Sequence, residues 1–519
     1  MTHLCVAIFV RDVAQAKRDI AAAAEAGADM VELRIDQFHD VVELGTLLQT
    51  LTIPSIVTCR PTWEGGESDL SDEERLRLLD LSNFFTTARL VPYIDIELET
   101  LRRVPGAREK LARSLIISTH DFQGRPERLN NLIVEMTDAG GSVNKIVWMA
   151  RSIRDNVEAF EILENRQKST IALCMGEAGL ISRVLAKKFS AFLTFAALEA
   201  GGGTAPGQVS IHDMKRLYRW DALNPKTKVY GVVGSPIMHS MSPAIHNRAF
   251  ETVCHDGVYL PMLVQPGYES FKAFMESFIG FAPLDLSGLS VTIPHKENAL
   301  RYLKEKGADV EPLAEQIGAV NTIIVDRVDG QPRLRGINSD YAAILDTITT
   351  TLSITREQLE GKRVAVIGAG GTGRTAVAAL AAQGATVVVY NRTKERADEL
   401  AKEFDGRSGK VVAARIEKLC DSCCEIFINT TSLGMHPKTD ASAFGDRQPN
   451  LTPETLVFDT VYNPMQTKLL KQARAAGAIT VGGVEMFVRQ AARQFEAWTG
   501  HPAPVDVMRR VIEDKLGKV

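Results

Sequence analysis

Three observations point to an α/β chain. Over roughly the first 220 residues, short apolar runs recur eight times with helical segments between them. At residues 362–393 a G-x-G-x-x-G turn lies between two more apolar runs. The length of 519 residues exceeds what one core organises and suggests three domains, with the weight on two larger units. The expected architecture is an N-terminal (β/α)8 barrel followed by two α/β domains, the last a Rossmann-like dinucleotide-binding domain.

Composition excludes several classes. Apolar residues make up 45% and charged residues 24%, ordinary for soluble globular protein. A net charge of -4 gives no reason to expect nucleic acid or an acidic membrane as partner. Seven cysteines are scattered, with Cys423-Cys424 a close pair, and neither structural zinc nor a disulfide framework is expected. A reducing compartment fits this usage. No apolar run reaches membrane-spanning length. The sequence enters Leu4-Cys-Val-Ala-Ile-Phe9 with no basic leader before it, so the expected location is cytoplasmic.

The eight runs of the first half are Leu4–Phe9, Met30–Arg34, Ser55–Arg60, Tyr93–Glu97, Ser114–Thr119, Val143–Met149, Ile171–Met175 and Ala191–Phe195. Helical segments such as Val13–Ala26 and Asp72–Leu81 separate them. A doubly wound sheet is the competing arrangement. In a barrel, chemistry gathers at the C-terminal ends of strands, and those ends are charged here. The second carries Glu32-Leu-Arg34-Ile-Asp36, and the third runs into Cys59-Arg60-Pro-Thr-Trp-Glu64-Gly-Gly-Glu67. The fifth ends in Ser118-Thr-His120-Asp121-Phe122, and the sixth holds Lys145 within Val-Asn-Lys-Ile-Val-Trp. Each alone is equally well explained as a structural ion pair. Lys145 is the sharpest, because a lysine in an apolar strand pays desolvation, which raises the fraction of free amine. A neutral amine attacks a ketone to form a Schiff base. His120, on the neighbouring strand, can move protons near neutral pH. The competing reading is a buried pair of Lys145 with Glu32 or Asp36.

These residues carry a resemblance. The segment from Thr2 to Trp220 resembles the type I 3-dehydroquinate dehydratases, the Schiff-base class, through the pieces just quoted together with Ser182-Arg183 and Thr204-Ala-Pro-Gly-Gln208. The resemblance implies that Lys145 forms the imine with 3-dehydroquinate and that His120 is general base and then acid, oriented by Glu64. It places Arg183 on the substrate carboxylate, Glu32, Arg34, Arg60 and Glu64 around the ring hydroxyls and the histidine, and Thr204 and Gln208 on a closing lid. Thr204 stands where serine is common and keeps the hydroxyl.

Pro225 and a shift in charge mark a boundary near 220–227, with a linker short enough that the two halves should touch. Val229-Tyr-Gly-Val-Val-Gly234 reads as a strand, and Ser242-Pro243 as a helix start. Ser240 and Ser242 can hold a small anion or simply cap that helix. Strand ends then display Thr292, Lys296, Asn321, Ser339 and Asp340. Lys296 and Asp340 form either a catalytic dyad or a surface ion pair.

The stretch 362–393 is strand, turn, helix, strand, the length of one βαβ unit. In Gly368-Ala369-Gly370-Gly371-Thr372-Gly373, Gly368 permits the turn, Gly370 admits a pyrophosphate and Gly373 packs helix on sheet. The helix N-terminus receives phosphate charge. An NAD site expects a carboxylate at the end of the second strand; this chain has Asn391-Arg392-Thr393. A guanidinium suits a 2′-phosphate, so NADP is favoured over NAD, the alternative being a solvated loop arginine.

From Lys228 onward the chain resembles shikimate dehydrogenase. The resemblance places Ser240 and Ser242 on the shikimate carboxylate, Thr292, Asn321, Ser339 and Asp340 on the ring hydroxyls, and Lys296 with Asp340 as the catalytic pair. It adds Thr430, in Asn429-Thr-Thr-Ser-Leu-Gly-Met435, and Met486 as cofactor contacts, and Tyr462 and Gln490 as substrate contacts. The helix bearing Gln490 returns to the substrate domain in that family. The domains implied are therefore 1–222, the dehydratase barrel; 227–345 completed by 481–519, the substrate domain; and 346–480, the NADP domain. The fusion resembles the plant-type dehydratase–dehydrogenase, which takes 3-dehydroquinate to 3-dehydroshikimate and then to shikimate. The expectation is a bifunctional enzyme using NADP(H) and no metal, a monomer or weak homo-oligomer, with no nucleic-acid or membrane partner. The alternatives are a quinate dehydrogenase in the second half, a non-catalytic barrel, and a ligand-binding regulator.

Overall fold

The computed structural model describes residues 1–80, 90–111, 114–199, 201–406, 408–445 and 447–517. The chain forms two compact units, Met1–Pro243 with Asp256–Leu286, and Ala244–His255 with Ser287–Val519.

In the first unit the expected barrel strands form β1 (His3–Phe9), β2 (Met30–Arg34), β3 (Ser55–Thr58), β4 (Tyr93–Glu97), β5 (Ser114–Asp121), β6 (Val143–Met149), β7 (Ser169–Met175) and β8 (Leu193–Ala196). They make one sheet in the order β7-β6-β5-β4-β3-β2-β1-β8, and the paired neighbours run parallel. At the seam the Phe192 N–H donates to the Thr170 carbonyl at 2.8 Å, so the barrel is nearly closed. β3 stops two residues before the expected Arg60, because the Arg60 N–H donates to the Asp36 carboxylate instead of a ladder carbonyl and Pro61 follows. β5 runs two residues past the expected Thr119, which puts His120 in the strand itself. The helices span Val13–Glu25 and Asp72–Leu79, the second begun by a Ser71/Glu74 capping box; the expected end at Leu81 lies outside the described residues.

Strand side chains alternate between faces, and this alternation builds the site. Met30, Ile56, Ile116 and Val143 belong to one apolar cluster, with Tyr93 packed against it. Two residues further along the same face stand Glu32, Thr58, Ser118, Lys145 and Asp95. Two further again, on four of the five strands, stand Arg34, Arg60, His120 and Glu97. An apolar floor thus carries two polar layers toward the C-terminal end.

The same unit contains the parallel pair β9 (Lys228–Gly234) and β10 (Gly257–Leu263) and a helix at Tyr268–Gly280. Barrel residue Lys188, 3% exposed, donates to the carbonyls of Pro225 (3.0 Å) and Thr227 (2.8 Å). Phe281 packs near Phe160 and Phe189.

In the second unit β11 (Leu286–Val291), β13 (Thr322–Val328) and β14 (Gln331–Ile337) pair antiparallel in turn, and β12 (Asp309–Val310) lies parallel to β14. A six-stranded parallel sheet follows: β15 (Arg363–Ile367), β16 (Thr386–Asn391), β17 (Lys410–Arg415), β18 (Ile426–Asn429), β19 (Leu456–Asp459) and β20 (Ile479–Val481). Its order, β17-β16-β15-β18-β19-β20, is that of a Rossmann-like domain. Ala376–Ala381, on the helix after β15, are buried in its core. The helix Gly483–Thr499 returns to β11 and β13. There Trp498 Nε1 donates to the Ile323 carbonyl at 3.1 Å, and a Cβ on Gly288 would lie 2.4 Å from the Trp498 ring. Among the described residues, no helix is long and apolar enough to cross a membrane.

Candidate active sites

The first site lies inside the barrel. Glu32, Arg34, Arg60, Glu64, His120, Lys145, Arg183, Thr204 and Gln208 all line one cavity. Lys145 Nζ donates to Glu32 Oε1 at 3.1 Å and Asp95 Oδ2 at 2.8 Å, and sits 4.3 Å from the Phe195 ring centroid. The amine is therefore held by two carboxylates. One, Glu32, was named as its structural partner; the other expected partner, Asp36, instead binds Arg34 at 2.6 Å and the backbone N–H groups of Arg60 and Glu67.

Arg60 is buried among acceptors. Its Nη1 reaches Glu64 (3.1 Å), Glu97 (2.9 Å) and Ser118 (2.7 Å), and its Nη2 reaches Asp95 (2.7 Å). Burial would raise Asp95, but Arg60 and Lys145 outweigh it and hold this carboxylate well below the usual range. Burial pushes Glu64 up to about 8, against the pull of Arg60. Glu64 accepts the His120 backbone N–H at 3.0 Å, while His120 Nδ1 is 3.7 Å from its other oxygen, beyond hydrogen-bond reach. Burial, with Arg60 and Lys145 nearby, keeps His120 well below its ordinary value and hence neutral.

Arg183 is 1% exposed and has no carboxylate partner among the described residues. Its Nη2 makes one long contact to the Pro206 carbonyl (3.4 Å), and its Nε is unbonded. Burial lowers it to about 10. A buried cation without a counterion suits an anionic ligand. Thr204 N–H donates to Gln208 Oε1 at 2.7 Å, which closes the turn that both residues occupy.

Sequence reasoning passed over Asp95 and Glu97. The signal was available in Tyr93-Ile-Asp95-Ile-Glu97, where two carboxylates one residue apart in a strand share a face. It also passed over the C-x-x-C spacing of Cys420 and Cys423; all seven cysteines are free.

In the second unit Lys296 opens the helix Lys296–Glu305 and Asp340 lies in the first turn of Ser339–Leu352. Their side chains meet at 2.6 Å. Asn321 Nδ2 donates to Ser339 Oγ at 3.0 Å, and its Oδ1 accepts the Ser339 N–H at 2.8 Å. Gln494, 2% exposed and not anticipated, supports this corner from the returning helix: its Nε2 donates to Thr322 Oγ1 (3.0 Å), and its Oε1 accepts from Ser290 (2.8 Å). One turn earlier on that helix, Gln490 donates to the Phe487 carbonyl, and Tyr462 stacks on the Phe487 ring with centroids 4.9 Å apart. Thr292 is half-buried beyond β11. In the first unit the Ser242 N–H donates to Ser240 Oγ at 3.2 Å, at the start of the helix Ser242–Thr252.

The glycine turn fits a dinucleotide. Gly368 has φ of 111°, and a Cβ there would lie 2.7 Å from Thr430 Oγ1. A Cβ on Gly373 would strike the Gly368 carbonyl at 2.1 Å, so only glycine lets the helix approach. Gly370 and Gly371 face open space, and the helix Gly371–Ala382 has no side-chain cap, which leaves its first N–H groups available to a phosphate. Asn391 Oδ1 accepts the Ala369 N–H at 3.2 Å and its Nδ2 donates to the Thr393 carbonyl, so it braces the turn. Arg392 is exposed beside it, and Thr372 is half-buried. Met486 is packed in the apolar core.

Comparison with known proteins matches successive segments of the chain to four family models. Residues 4–225 match the model of the type I 3-dehydroquinase family. Residues 232–323 match the shikimate dehydrogenase substrate-binding domain, 351–457 the shikimate/quinate 5-dehydrogenase family, and 483–513 the shikimate 5′-dehydrogenase C-terminal domain. The chain is 36% identical over 527 aligned residues to the chloroplastic bifunctional 3-dehydroquinate dehydratase/shikimate dehydrogenase of Arabidopsis thaliana, covering 98% of this chain and 84% of that protein. It is 39% identical to the NADP(+) shikimate dehydrogenase of Methanosarcina barkeri and 38% to that of Bacillus cereus, each covering 56% of this chain and 99% of the relative.

Proposed function

The chain belongs to the bifunctional 3-dehydroquinate dehydratase/shikimate dehydrogenase family, and from that premise we propose that its two activities run on the two sites described above. It has the type I dehydroquinase and shikimate dehydrogenase activities of the shikimate pathway. We assign the first to residues 1–222, the second to 227–519, and NADP binding to 346–480.

In the dehydratase site, Lys145 first gives up a proton; Glu32, at 3.1 Å and bound to no arginine among the described residues, is placed to accept it. The free amine adds to the 3-keto carbon of 3-dehydroquinate, and loss of water leaves an iminium. That cation acidifies the adjacent C2–H. His120, neutral because it is buried beside two cations, takes this proton and the electron pair forms an enamine. The C1 hydroxyl then leaves as water, with the proton from His120, as the enamine pair moves to form the C1–C2 double bond. Water hydrolyses the iminium, which returns Lys145 and releases 3-dehydroshikimate. Arg183 binds the carboxylate, and Thr204 and Gln208 cover the site. The observation that carries this reading is a carboxylate-paired lysine, a buried histidine and a buried arginine with no carboxylate partner among the described residues, all lining one cavity. Borohydride reduction with substrate present tests it: the expected adduct maps to Lys145. An adduct on another residue, or none in an enzyme that still dehydrates, overturns it.

In the reductase site the glycine turn would hold NADP(H), with the helix N-terminus at Gly371 available to the pyrophosphate and Arg392 to the 2′-phosphate. When bound, NADPH supplies the hydride that reduces the ketone of 3-dehydroshikimate. Lys296, held by Asp340, stabilises the growing charge on the carbonyl oxygen and gives it a proton. Asn321 and Ser339 orient the ring hydroxyls, with Thr292, Tyr462 and Gln490 as further contacts. The matched model spans shikimate and quinate dehydrogenases, and relative rates with each acid, using NADP and NAD in turn, separate those readings. Seven free cysteines suit a reducing compartment such as the cytoplasm.

A further inference from the structure

We propose that Glu97 is a positioning residue for dehydration: it fixes the Arg60 fork, which in turn holds Asp95 against Lys145. The proposal rests on Lys145 being the imine-forming residue. Glu97 is fully buried and uses both oxygens on cations. Oε1 accepts from Arg60 Nη1 at 2.9 Å, and Oε2 accepts from Arg75 Nη1 at 2.7 Å and Thr100 Oγ1 at 2.9 Å. Arg75, itself fully buried, is anchored by the Cys59 carbonyl (2.7 Å), Asp72 (2.7 Å) and Thr100 (2.6 Å). On the other side, Arg60 Nη2 donates to Asp95 Oδ1 at 2.7 Å, and Asp95 Oδ2 accepts from Lys145 at 2.8 Å.

The result is an alternating line of charge, Arg75–Glu97–Arg60–Asp95–Lys145. Each link is a charge-assisted hydrogen bond between groups withdrawn from water, the kind that is strong and directional. Glu97 stands between two guanidinium groups. Without its charge, Arg60 and Arg75 face each other with no anion between them, and Arg60 Nη1 keeps only Glu64 and Ser118. The fork then loses one of its fixed acceptors and shifts, and Asp95 Oδ1, which also accepts from Ser118 Oγ at 2.6 Å, shifts with it as far as that bond allows. Lys145 is displaced from the line along which it meets the ketone. Misplacement by about 1 Å costs on the order of 10²-fold in rate. Glu97 itself does not line the cavity, although Arg60 does, so the effect falls mainly on kcat with a much smaller change in KM.

The test uses the full chain; thermal unfolding followed by circular dichroism reports on folding of the barrel, and dehydrogenase activity reports on the second unit. For Glu97→Gln, dehydratase kcat falls by about 10- to 100-fold while KM changes by less than about threefold. The rate of borohydride trapping falls in parallel, and dehydrogenase activity is retained. A normal kcat, or a fall in kcat with trapping at the wild-type rate, overturns the proposal. If Glu97→Gln lacks the barrel's unfolding transition it has not folded, and Thr100→Val decides. That milder change lowers kcat at unchanged KM if the line matters, and a kcat equal to wild type overturns it. Wild-type enzyme that yields no adduct on Lys145 refutes the imine reading, whereas a wild-type adduct with unaltered Glu97→Gln kinetics refutes only this role of Glu97.

Discussion

Lys145 and Lys296 each donate to an aspartate, at 2.8 and 2.6 Å, yet their settings differ throughout. The side chain of Lys145 is 5% exposed and sits in a net of charged groups drawn from four barrel strands and the turn after β3. That of Lys296 is 26% exposed and pairs with one carboxylate that is itself 13% exposed. The difference matches the two tasks. A nucleophile must lose its proton, meet a carbon along one line and recover, so its surroundings must carry charge without moving. A group that stabilises a growing oxyanion needs only to stay charged and close, and one partner suffices. The first solution requires many buried charges that are costly unless all are paired; the second costs the fold little.

Removing each lysine tests that contrast. Lys145→Ala should lower dehydratase kcat by on the order of 10⁴-fold or more, as loss of a covalent nucleophile does. Dehydrogenase activity of the same preparation should stay intact. A smaller loss would mean that the buried net, not the amine, carries most of the rate. Lys296→Met should lower dehydrogenase kcat by about 10²–10⁴-fold with KM nearly unchanged and dehydration normal. Steady-state assays of both half-reactions decide this, and a normal kcat with only a raised KM would reduce Lys296 to a binding group.

A third variant asks whether the exposed style of recognition extends to the cofactor. Arg392 is exposed and has no ion-pair partner among the described residues. Arg392→Ala should raise KM for NADPH by roughly 10- to 100-fold, the worth of one charge-assisted contact, and leave KM for NADH nearly unchanged. Equal losses with both cofactors would show that Arg392 only supports its loop.

How much of this was legible in the sequence follows the same divide. Alternation along strands is local, so Met30–Arg34, Tyr93–Glu97 and Val143–Met149 were read at their observed bounds. The glycine turn was legible because each glycine answers a local steric demand, such as the approach of Gly373 to the Gly368 carbonyl. Partners of buried charges were legible only in part, Glu32 being named for Lys145 and Asp95 not. Asp95 lies 50 residues from Lys145, and which carboxylate reaches the amine depends on barrel closure, which no local pattern encodes. Gln494 escaped for the same reason, since its partners Ser290 and Thr322 are more than 170 residues away. The resemblance to the two families supplied chemistry at named positions, but not the layer beneath them.

The smallest expected effect asks whether the barrel net is held by charge at every member. Glu64 is 6% exposed, and burial pushes it up to about 8 from an ordinary 4.5, although Arg60 is 3.1 Å away. Below about pH 4.5 the carboxyl is protonated in folded and unfolded chains alike, and its burial costs least. Between 4.5 and 8 the unfolded chain ionises while the folded one keeps its proton, so stability is lost as pH rises, until the folded group also ionises near 8. Glu64→Gln removes this titration and keeps an acceptor for the His120 N–H. The wild type should therefore fall progressively behind the variant in Tm from pH 4.5 to 8, with a constant gap above. Each unit of raised pKa corresponds to about 1.4 kcal/mol, so the whole gap is on the order of a few kcal/mol. Thermal unfolding of both proteins across that range measures it. A gap that narrows with rising pH would mean that Arg60 keeps Glu64 ionised in the folded barrel. The cluster would then be a fully charged net, and the neutral member that separates it from the simple Lys296–Asp340 pair would vanish.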